Sequence, residues 1–356
     1  MNLKDNLINV LKGKGSEITP VVAFPTVLTT QLLDMAHTTF DEACHDADKM
    51  AEVAGSVYEH TGLEAITVPL DLWFESESFG YVVERQEGKI TPKVCDALFK
   101  SVEDLEVPRD FTCQGQFPVI EKAASILHER YDDKDVPLIG EVTGAFTLLT
   151  DLVDMGEIIK MLNSDYLGID DALEEINTVL LDEVEFYNDI GVDVIVVNDP
   201  SSTSRILKPD LFEDLVGPYL SELYDAMNVP GVLHICGDTR PSLEHMLSCG
   251  YDGLSISQEV DITSISALRD EIGSNTMICG NVAIGETLLM GSADKILEDS
   301  TECLEKGVDI LGPSCNIAYE TPLNNIRAMV EARNSYLWQA EYNKIKRVYL
   351  IRRYKL

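Results

Sequence analysis

Three side chains with soft metal-binding atoms stand near the ends of two apolar segments. His234 and Cys236 belong to the stretch Gly-Val-Leu-His-Ile-Cys-Gly-Asp, and Cys315 follows a second apolar run that ends in Leu-Gly-Pro-Ser. Side chains two positions apart on a strand point to the same face, so His234 and Cys236 converge. One imidazole and two thiols suit zinc, and three protein ligands leave one coordination position for a substrate. The alternative is a core histidine beside a buried structural cysteine.

The charge of such a centre favours one kind of reaction. Two thiolates and a neutral imidazole nearly neutralise a zinc ion, and a further thiol that binds there loses its proton. A bound thiolate is a nucleophile suited to accepting an alkyl group, whereas a site with fewer thiolates activates water better. Zinc deaminases also use one His and two Cys, but with a Cys-x-x-Cys that this sequence lacks. The ligand set therefore favours alkyl transfer to a thiol over hydrolysis.

Eight short apolar segments alternate with helical patterns along the chain. They cover residues 21–24, 65–70, 137–142, 192–197, 231–236, 253–257, 276–280 and 308–312. Each is nearly continuous in hydrophobicity, as expected of parallel strands that are buried on both faces. We predict an α/β fold, a (β/α)₈ TIM barrel preceded by a helix at residues 3–12. An open doubly wound sheet is the alternative, but no Gly-x-Gly-x-x-Gly follows the first strand.

Two parts of the chain extend this simple pattern. The connection from residue 71 to 136 is long, and it contains a predicted hairpin at 79–90, turning near Glu87 and Gly88, and a helix at 118–131. We predict a hairpin-containing insertion after strand 2. Residues 1–340 are predicted to form one barrel domain, followed by a basic tail at 341–356. The tail is interpreted as a helix on the acidic surface, a disordered end or a partner-docking arm.

The carboxyl ends of the strands in such a barrel form the mouth where the chemistry takes place. Asp199 and Glu141 follow or end two of the predicted strands, and we predict them as catalytic residues. Either carboxylate is placed to orient His234 through its other ring nitrogen, although each also fits a structural role. Three further polar residues at the mouth are predicted to bind the cofactor, and these are Glu75, Glu77 and Asn281.

Composition excludes several classes of protein. The 356 residues carry a formal net charge of −35, which disfavours nucleic acid and anionic membranes as partners. No run of 18 apolar residues predicts a transmembrane helix, and the first residues lack the features of a signal peptide. The eight cysteines are scattered without a disulfide framework, which predicts a cytoplasmic protein with free thiols.

Four stretches of the sequence resemble one superfamily. Residues 72–80, 140–148, 233–238 and 312–326 are similar to the uroporphyrinogen decarboxylase superfamily, and within it to the methylcobamide:coenzyme M methyltransferases. The resemblance implies a zinc-containing barrel that takes a methyl group from the methylcobamide of a methylated corrinoid protein. The acceptor would be a small thiol, coenzyme M in the best-known members. The resemblance carries the zinc-ligand roles over to His234, Cys236 and Cys315.

The sequence departs from this branch and from the decarboxylases at two places. An acidic fourth zinc ligand is expected about two dozen residues after the histidine, where this chain has Ser257. Glu259 could take that place only if the strand register slipped, and a one-residue slip turns a side chain to the wrong face. The Arg-rich N-terminal signature of the decarboxylases is absent after Thr19, although Asp71 stands near their catalytic aspartate. Two alternative functions remain, a metal-independent decarboxylase or lyase of the superfamily and a non-catalytic module that binds a corrinoid protein.

Overall fold

A single parallel sheet organises the chain. The computed structural model describes residues 2–16, 18–24, 26–83, 97–164 and 166–353, so the turn predicted near Glu87 and Gly88 lies outside the described residues. All neighbouring strands pair in parallel and in chain order. The strands are β1 (Ile66–Val68), β2 (Leu138–Thr143), β3 (Val194–Asn198), β4 (Gly231–His234), β5 (Gly253–Ser255), β6 (Met277–Val282) and β7 (Ile310–Pro313).

The predicted first strand is reduced to a single bridge between Val21 and Leu311. The Val22 amide donates to the Leu311 carbonyl at 2.9 Å, and the Leu311 amide donates to the Pro20 carbonyl at 2.9 Å. On the other side, the amide of Glu64 donates to the Val21 carbonyl at 2.9 Å. Prolines at positions 20 and 25 flank the segment and lack the N–H that a longer ladder needs. Residues 20–22 therefore form a seam between β7 and the chain entering β1, and the predicted fold class is confirmed with seven full strands.

Helices fill the connections between the strands. They are α1 (Leu3–Leu11), α2 (Thr30–Met35), α3 (Phe40–His45), α4 (Ala47–Thr61), α5 (Phe74–Ser78), α6 (Phe117–Tyr131), α7 (Ala145–Leu152), α8 (Met155–Leu162), α9 (Leu167–Ile190), α10 (Pro209–Leu211), α11 (Gly217–Asp225), α12 (Leu243–Ser248), α13 (Ile262–Ile272), α14 (Ala293–Glu305) and α15 (Leu323–Arg353). Single π-helical segments cover Phe212–Val216 and Ile284–Leu289. None of the described helices has both the length and the apolar composition needed to cross a bilayer.

Two helices differ from the sequence prediction. The pattern at 40–60 predicts one helix, but the structure divides it because Asp46 is extended and its side chain accepts the amides of Asp48 and Lys49. An Asp whose side chain satisfies the free amides of a first turn starts a new helix. The apolar pattern at residues 321–337 indicates a helix, and in the structure this helix continues to Arg353.

The barrel interior determines which strand residues reach the mouth. Leu7, Val10 and Leu11 of α1 pack with Ile139 and Val232 in one buried cluster inside the barrel. Because strand side chains alternate between faces, Glu141 and His234, two residues further on, also point into the barrel, nearer the carboxyl ends of the strands. The sheet therefore places these two polar side chains between the buried apolar cluster and the mouth of the barrel.

A buried ion pair holds the seam. Arg333 of α15 donates from Nη2 to Oε1 of Glu64, and both residues are almost fully buried. The other carboxylate oxygen of Glu64 accepts the Val21 amide at 3.0 Å, and Nη1 of Arg333 donates to the Thr19 carbonyl. Removing one partner of such a pair costs about 3–5 kcal/mol because the other charge is left buried and uncompensated. The pair thus ties α15 to the segment that closes the barrel.

Candidate metal centre

The structure brings the three predicted metal ligands together. The ligand atoms of His234, Cys236 and Cys315 all lie within 4.8 Å of one another. Nε2 of His234 is 2.9 Å from Sγ of Cys236 and 3.4 Å from Sγ of Cys315. Within the described ranges, this is the only group of three or more His, Cys, Asp or Glu side chains that could hold a metal ion.

Two glycines shape the loops that carry the sulfur atoms. Gly237 follows Cys236 with φ at +80°, a left-handed conformation that turns the chain away directly after the ligand and that side chains disfavour. Gly312 of β7 lies so close to the Val22 carbonyl that a Cβ would clash with this backbone oxygen. These two positions explain why short Gly-containing motifs accompany both cysteines.

The imidazole of His234 is oriented by β5. Nδ1 is 3.0 Å from Oγ of Ser255 and 3.1 Å from its carbonyl oxygen. A carbonyl oxygen only accepts, so Nδ1 carries the proton and Nε2 presents its lone pair to the sulfurs. Complete burial lowers the pKa of His234 to about 4, which keeps the ring neutral at pH 7. The prediction that Asp199 or Glu141 orients this ring is wrong, because Ser255 occupies that position.

The two cysteine sulfurs form a disulfide in this structure. This differs from the prediction that the thiols are free, and the reason is proximity: the Cα atoms of Cys236 and Cys315 are 6.4 Å apart, within the range that a disulfide spans. Cysteine binds zinc as a thiolate, so this pair must be reduced before it can act as a ligand pair. The described cysteines that remain free are Cys44, Cys113, Cys249, Cys279 and Cys303.

Glu141 lies inside the barrel in a network beside the metal ligands. Its Oε1 accepts from Nδ2 of Asn198, and its Oε2 accepts the Thr26 amide at 3.0 Å. Asn198 is the register partner of His234 on the neighbouring strand. Burial raises the pKa of Glu141 to about 8, so the carboxyl group is mostly protonated at pH 7. A catalytic role for Glu141 stays a prediction.

Both carboxylate oxygens of Asp199 accept hydrogen bonds from neighbouring loop and helix residues. One carboxylate oxygen accepts the Thr147 amide at 2.8 Å and the Thr147 hydroxyl at 2.5 Å, and the other accepts from the Ser202 hydroxyl at 2.5 Å. Gly144 packs against this side chain so closely that any Cβ there would overlap it. The carboxylate thus joins the start of α7 to the turn after β3, and a catalytic role for it stays a prediction.

The three residues predicted to bind a cofactor have different environments. Glu75 is completely buried and accepts the Thr143 amide at 2.7 Å. Glu77 accepts from Nε2 of Gln116 at 2.9 Å and lies 3.6 Å from Nε2 of His45. Their cofactor-binding roles stay predictions.

Asn281 braces the loop after β5. Its amide nitrogen donates to the carbonyls of Ser257 at 3.0 Å and Val260 at 2.8 Å. It also lines a cavity of about 420 Å³ that reaches α14. A cofactor-binding role for Asn281 stays a prediction.

Ser257 occupies the position where relatives are expected to supply an acidic ligand. Its hydroxyl is buried and donates to the carboxylate of Glu259, whose side chain is exposed. Glu259 is not among the clustered ligand atoms. The side chain at this position, two residues after the end of β5, is therefore a hydroxyl that is already hydrogen-bonded to a carboxylate.

Sequence reasoning missed the orienting role of Ser255 and the buried carboxyl group of Glu183. Ser255 could have been found from the strand register, because parallel pairing places it opposite His234. Glu183 falls on the apolar face of α9, three residues after the buried Leu180. A carboxylate at a core position of a helix is the signal that identifies it.

Comparisons with known proteins find relatives that match almost the whole chain. A model of the uroporphyrinogen decarboxylase (URO-D) family matches residues 2–336. Methylcobamide:CoM methyltransferase MtaA of Methanosarcina barkeri is 30% identical over 335 residues, covering 94% of this chain and 98% of that protein. MtbA of Methanosarcina acetivorans is 31% identical over 346 residues, with the same two shares. A solved methyltransferase structure from Methanosarcina mazei has a TM-score of 0.89 at 30% identity, covering 95% of this chain and 99% of that one.

Proposed function

The chain belongs to the uroporphyrinogen decarboxylase (URO-D) family, and from this premise we propose that it transfers a methyl group from a methylated corrinoid protein to a small thiol, coenzyme M. The names of the relatives, methylcobamide:CoM methyltransferases, support this substrate pair. The observation that carries the proposal is the convergence of His234, Cys236 and Cys315 at the barrel mouth. This donor set suits a thiol acceptor.

The residues present fit a zinc ion. The neutral ring of His234 offers Nε2, and the reduced Cys236 and Cys315 offer two thiolates, so three ligands hold the ion and one position stays open. When bound, zinc would supply a positive centre that lowers the pKa of an acceptor thiol. The fit rests on the orientation of Nε2 toward both sulfurs rather than on the residue types alone.

The protein's own contribution is the orientation of its ligand side chains. Ser255 holds His234 in the tautomer whose free nitrogen faces the sulfurs. The net reaction forms a sulfur–carbon bond and breaks the cobalt–carbon bond, whose electron pair stays on cobalt as cobalt(I). The thiol proton leaves to solvent or to a nearby base. Cys236 and Cys315 are half-buried at the mouth, where a partner protein would present its corrinoid.

The experiment is an assay of the reduced, zinc-loaded protein with methylcobalamin and coenzyme M. Formation of cobalt(I) is followed by absorbance under anaerobic conditions, and methylated coenzyme M is quantified by mass spectrometry. Cys315→Ser should abolish both signals, whereas Cys113→Ser, which changes an exposed free thiol, should retain them. Absence of turnover with several thiols in fully zinc-loaded protein would refute the proposal. Activity that survives in Cys315→Ser would point to metal-independent chemistry.

A further inference from the structure

The end of the last helix carries a net positive charge, whereas the rest of the chain is strongly acidic. The family match ends at residue 336, and α15 continues to Arg353. Residues 337–356 contain six Lys or Arg and one Glu, while residues 1–336 contain 61 Asp or Glu and 21 Lys or Arg. We call residues 337–353 the basic extension. Its charge is opposite to that of the whole remaining surface.

The basic extension also leaves aromatic side chains in solvent. The rings of Trp338 and Tyr342 stack with their centroids 5.5 Å apart, and their side chains are 64% and 49% exposed. Past Arg333, no described side chain of α15 is buried. Exposed aromatic rings are typical of binding surfaces, where aromatic and Arg side chains supply much of the contact energy.

A complementary acidic surface lies on α9. Its exposed carboxylates are Asp171, Glu174, Glu175, Asp182, Glu185 and Asp189, which we call the acidic ridge. Five of the six recur at helical spacing on one face, and α9 contains no Lys or Arg. Like charges three or four residues apart destabilise a helix. None of the six forms an ion pair with any described residue, so no described neighbour offsets this repulsion.

The dimensions of the two surfaces match, but they lie apart within one molecule. At 1.5 Å per residue, the ridge from 171 to 189 is about 27 Å long and the basic extension about 25 Å. Around the barrel, α15 packs on α4, α4 on α6 and α6 on α9, so two helices intervene. A straight helical continuation of α15 cannot lie along α9 of its own chain.

We propose that the basic extension of one chain docks along the acidic ridge of a second copy, giving a two-fold dimer with two reciprocal contacts. A second copy is the partner whose charge is known to be complementary, because it carries the same ridge. A two-fold arrangement uses each surface once and closes the assembly. Most of its affinity is electrostatic, so the dimer dissociates as salt screens the charges.

The test compares solution masses by light scattering at 50 mM and 500 mM NaCl. The wild type should approach twice its 39.5 kDa monomer mass at low salt and fall toward the monomer at high salt. The tail-reversed variant Lys346→Glu/Arg352→Glu/Arg353→Glu should weaken the dimer at least about ten-fold. The control Lys14→Glu/Lys100→Glu/Lys208→Glu makes the same change in net charge on exposed lysines elsewhere and should dimerise normally.

A charge-swap experiment tests the pairing itself. The ridge-reversed variant Asp182→Lys/Glu185→Lys/Asp189→Lys should be monomeric alone and form a mixed dimer with the tail-reversed variant. A monomeric wild type at low salt, or a tail-reversed variant that dimerises like the wild type, would overturn the proposal. Binding of a monomeric wild type to phosphatidylserine vesicles, lost in the tail-reversed variant, would assign the extension to membranes instead.

Discussion

Burial shifts the pKa values of side chains in opposite directions on two sides of the barrel. On the side of β4, β5 and β7, burial lowers the pKa of His234 to about 4 and leaves an uncharged donor. On the side of β2, α5 and α9, burial raises the pKa of Glu141 to about 8 and raises the pKa of Glu75 and Glu183 well above the ordinary value. Both effects have one cause, the loss of hydration of a charged form. His234 and Glu141 are therefore both held mainly in their uncharged forms at pH 7.

The two sides also differ in how completely their polar atoms are bonded. Nδ1 of His234 donates to Ser255, which leaves the lone pair of Nε2 facing the two sulfurs. By contrast, both carboxylate oxygens of Glu183 and one oxygen of Glu75 are buried without a hydrogen-bond partner among the described residues. An imidazole held through one ring nitrogen is oriented before a ligand reaches the other nitrogen, whereas an unpartnered carboxyl group is held chiefly by the packing around it. The comparison indicates that precise orientation is concentrated on the sulfur and imidazole side.

The largest expected effect comes from removing a ligand. His234→Ala should lower zinc content to background and methyl transfer more than about 100-fold, because the loss of a ligand exceeds the 10–100-fold effect typical of residues that merely orient one. Metal analysis beside the methylcobalamin assay measures both. Glu75→Gln is the matched change on the opposite side and should retain zinc. Retained zinc in His234→Ala would remove the basis of the contrast between the two sides.

A smaller effect is expected from the residue that orients the imidazole. Ser255→Ala should weaken zinc binding about ten-fold, at the low end of the usual range, because the backbone carbonyl still accepts from Nδ1. Competition with a chromogenic chelator gives the affinity. Ser255→Thr keeps the hydroxyl and should restore most of it. Equal affinity in Ser255→Ala and the wild type would mean that the carbonyl alone orients the ring.

The buried carboxyl groups near β2 should make the free energy of unfolding depend on pH. The folded pKa of Glu141, about 8, exceeds its ordinary value of 4.5, so between these values the folded protein holds a proton that the unfolded chain has released. The free energy of unfolding should therefore fall as pH rises from about 5 to 8, by up to about 1.4 kcal/mol per pH unit for this group. Urea titrations of the wild type and Glu141→Gln measure the slope.

Asp151 provides the control for that slope. Its pKa is raised to about 7, mainly by burial, so it contributes with the same sign over a narrower range. Asp151→Asn should remove only the part below pH 7, while Glu141→Gln should flatten the region up to pH 8. An unchanged slope in Glu141→Gln would contradict the assignment of a buried neutral carboxyl group.

The smallest effect should come from Glu183. Glutamine has nearly the same shape as a protonated glutamate, so Glu183→Gln should change the free energy of unfolding by less than about 1 kcal/mol at pH 6. At pH 8, where ionisation of the wild-type side chain is costly, the variant should be the more stable protein. Thermal unfolding at both pH values gives the comparison. A large loss at pH 6 would show that the ionised carboxylate has a partner.

The sequence predicted the parts of the site that depend on residue type and strand position. His234, Cys236 and Cys315 were found because a parallel barrel gathers strand ends at one rim. The orienting role of Ser255 was missed because it depends on register between strands far apart in sequence. The expected carboxylate partner of His234 was wrong for a related reason: Asp199 has the right position along the chain, but Thr147 and Ser202 bind its oxygens. Such competition between partners is determined by side-chain packing rather than by sequence pattern.

The short seam at residues 20–22 has a consequence for how the molecule opens. Two backbone hydrogen bonds join this segment to β7, and one joins it to Glu64, whereas neighbouring full strands share longer ladders. Amide hydrogen exchange should therefore begin at Val22 and Leu311, at a free energy below that of global unfolding. Cys315 follows the same strand, and an ion shared with His234 would link β7 to β4 across the rim. Metal loading should then slow exchange at the seam, although no ligand belongs to it.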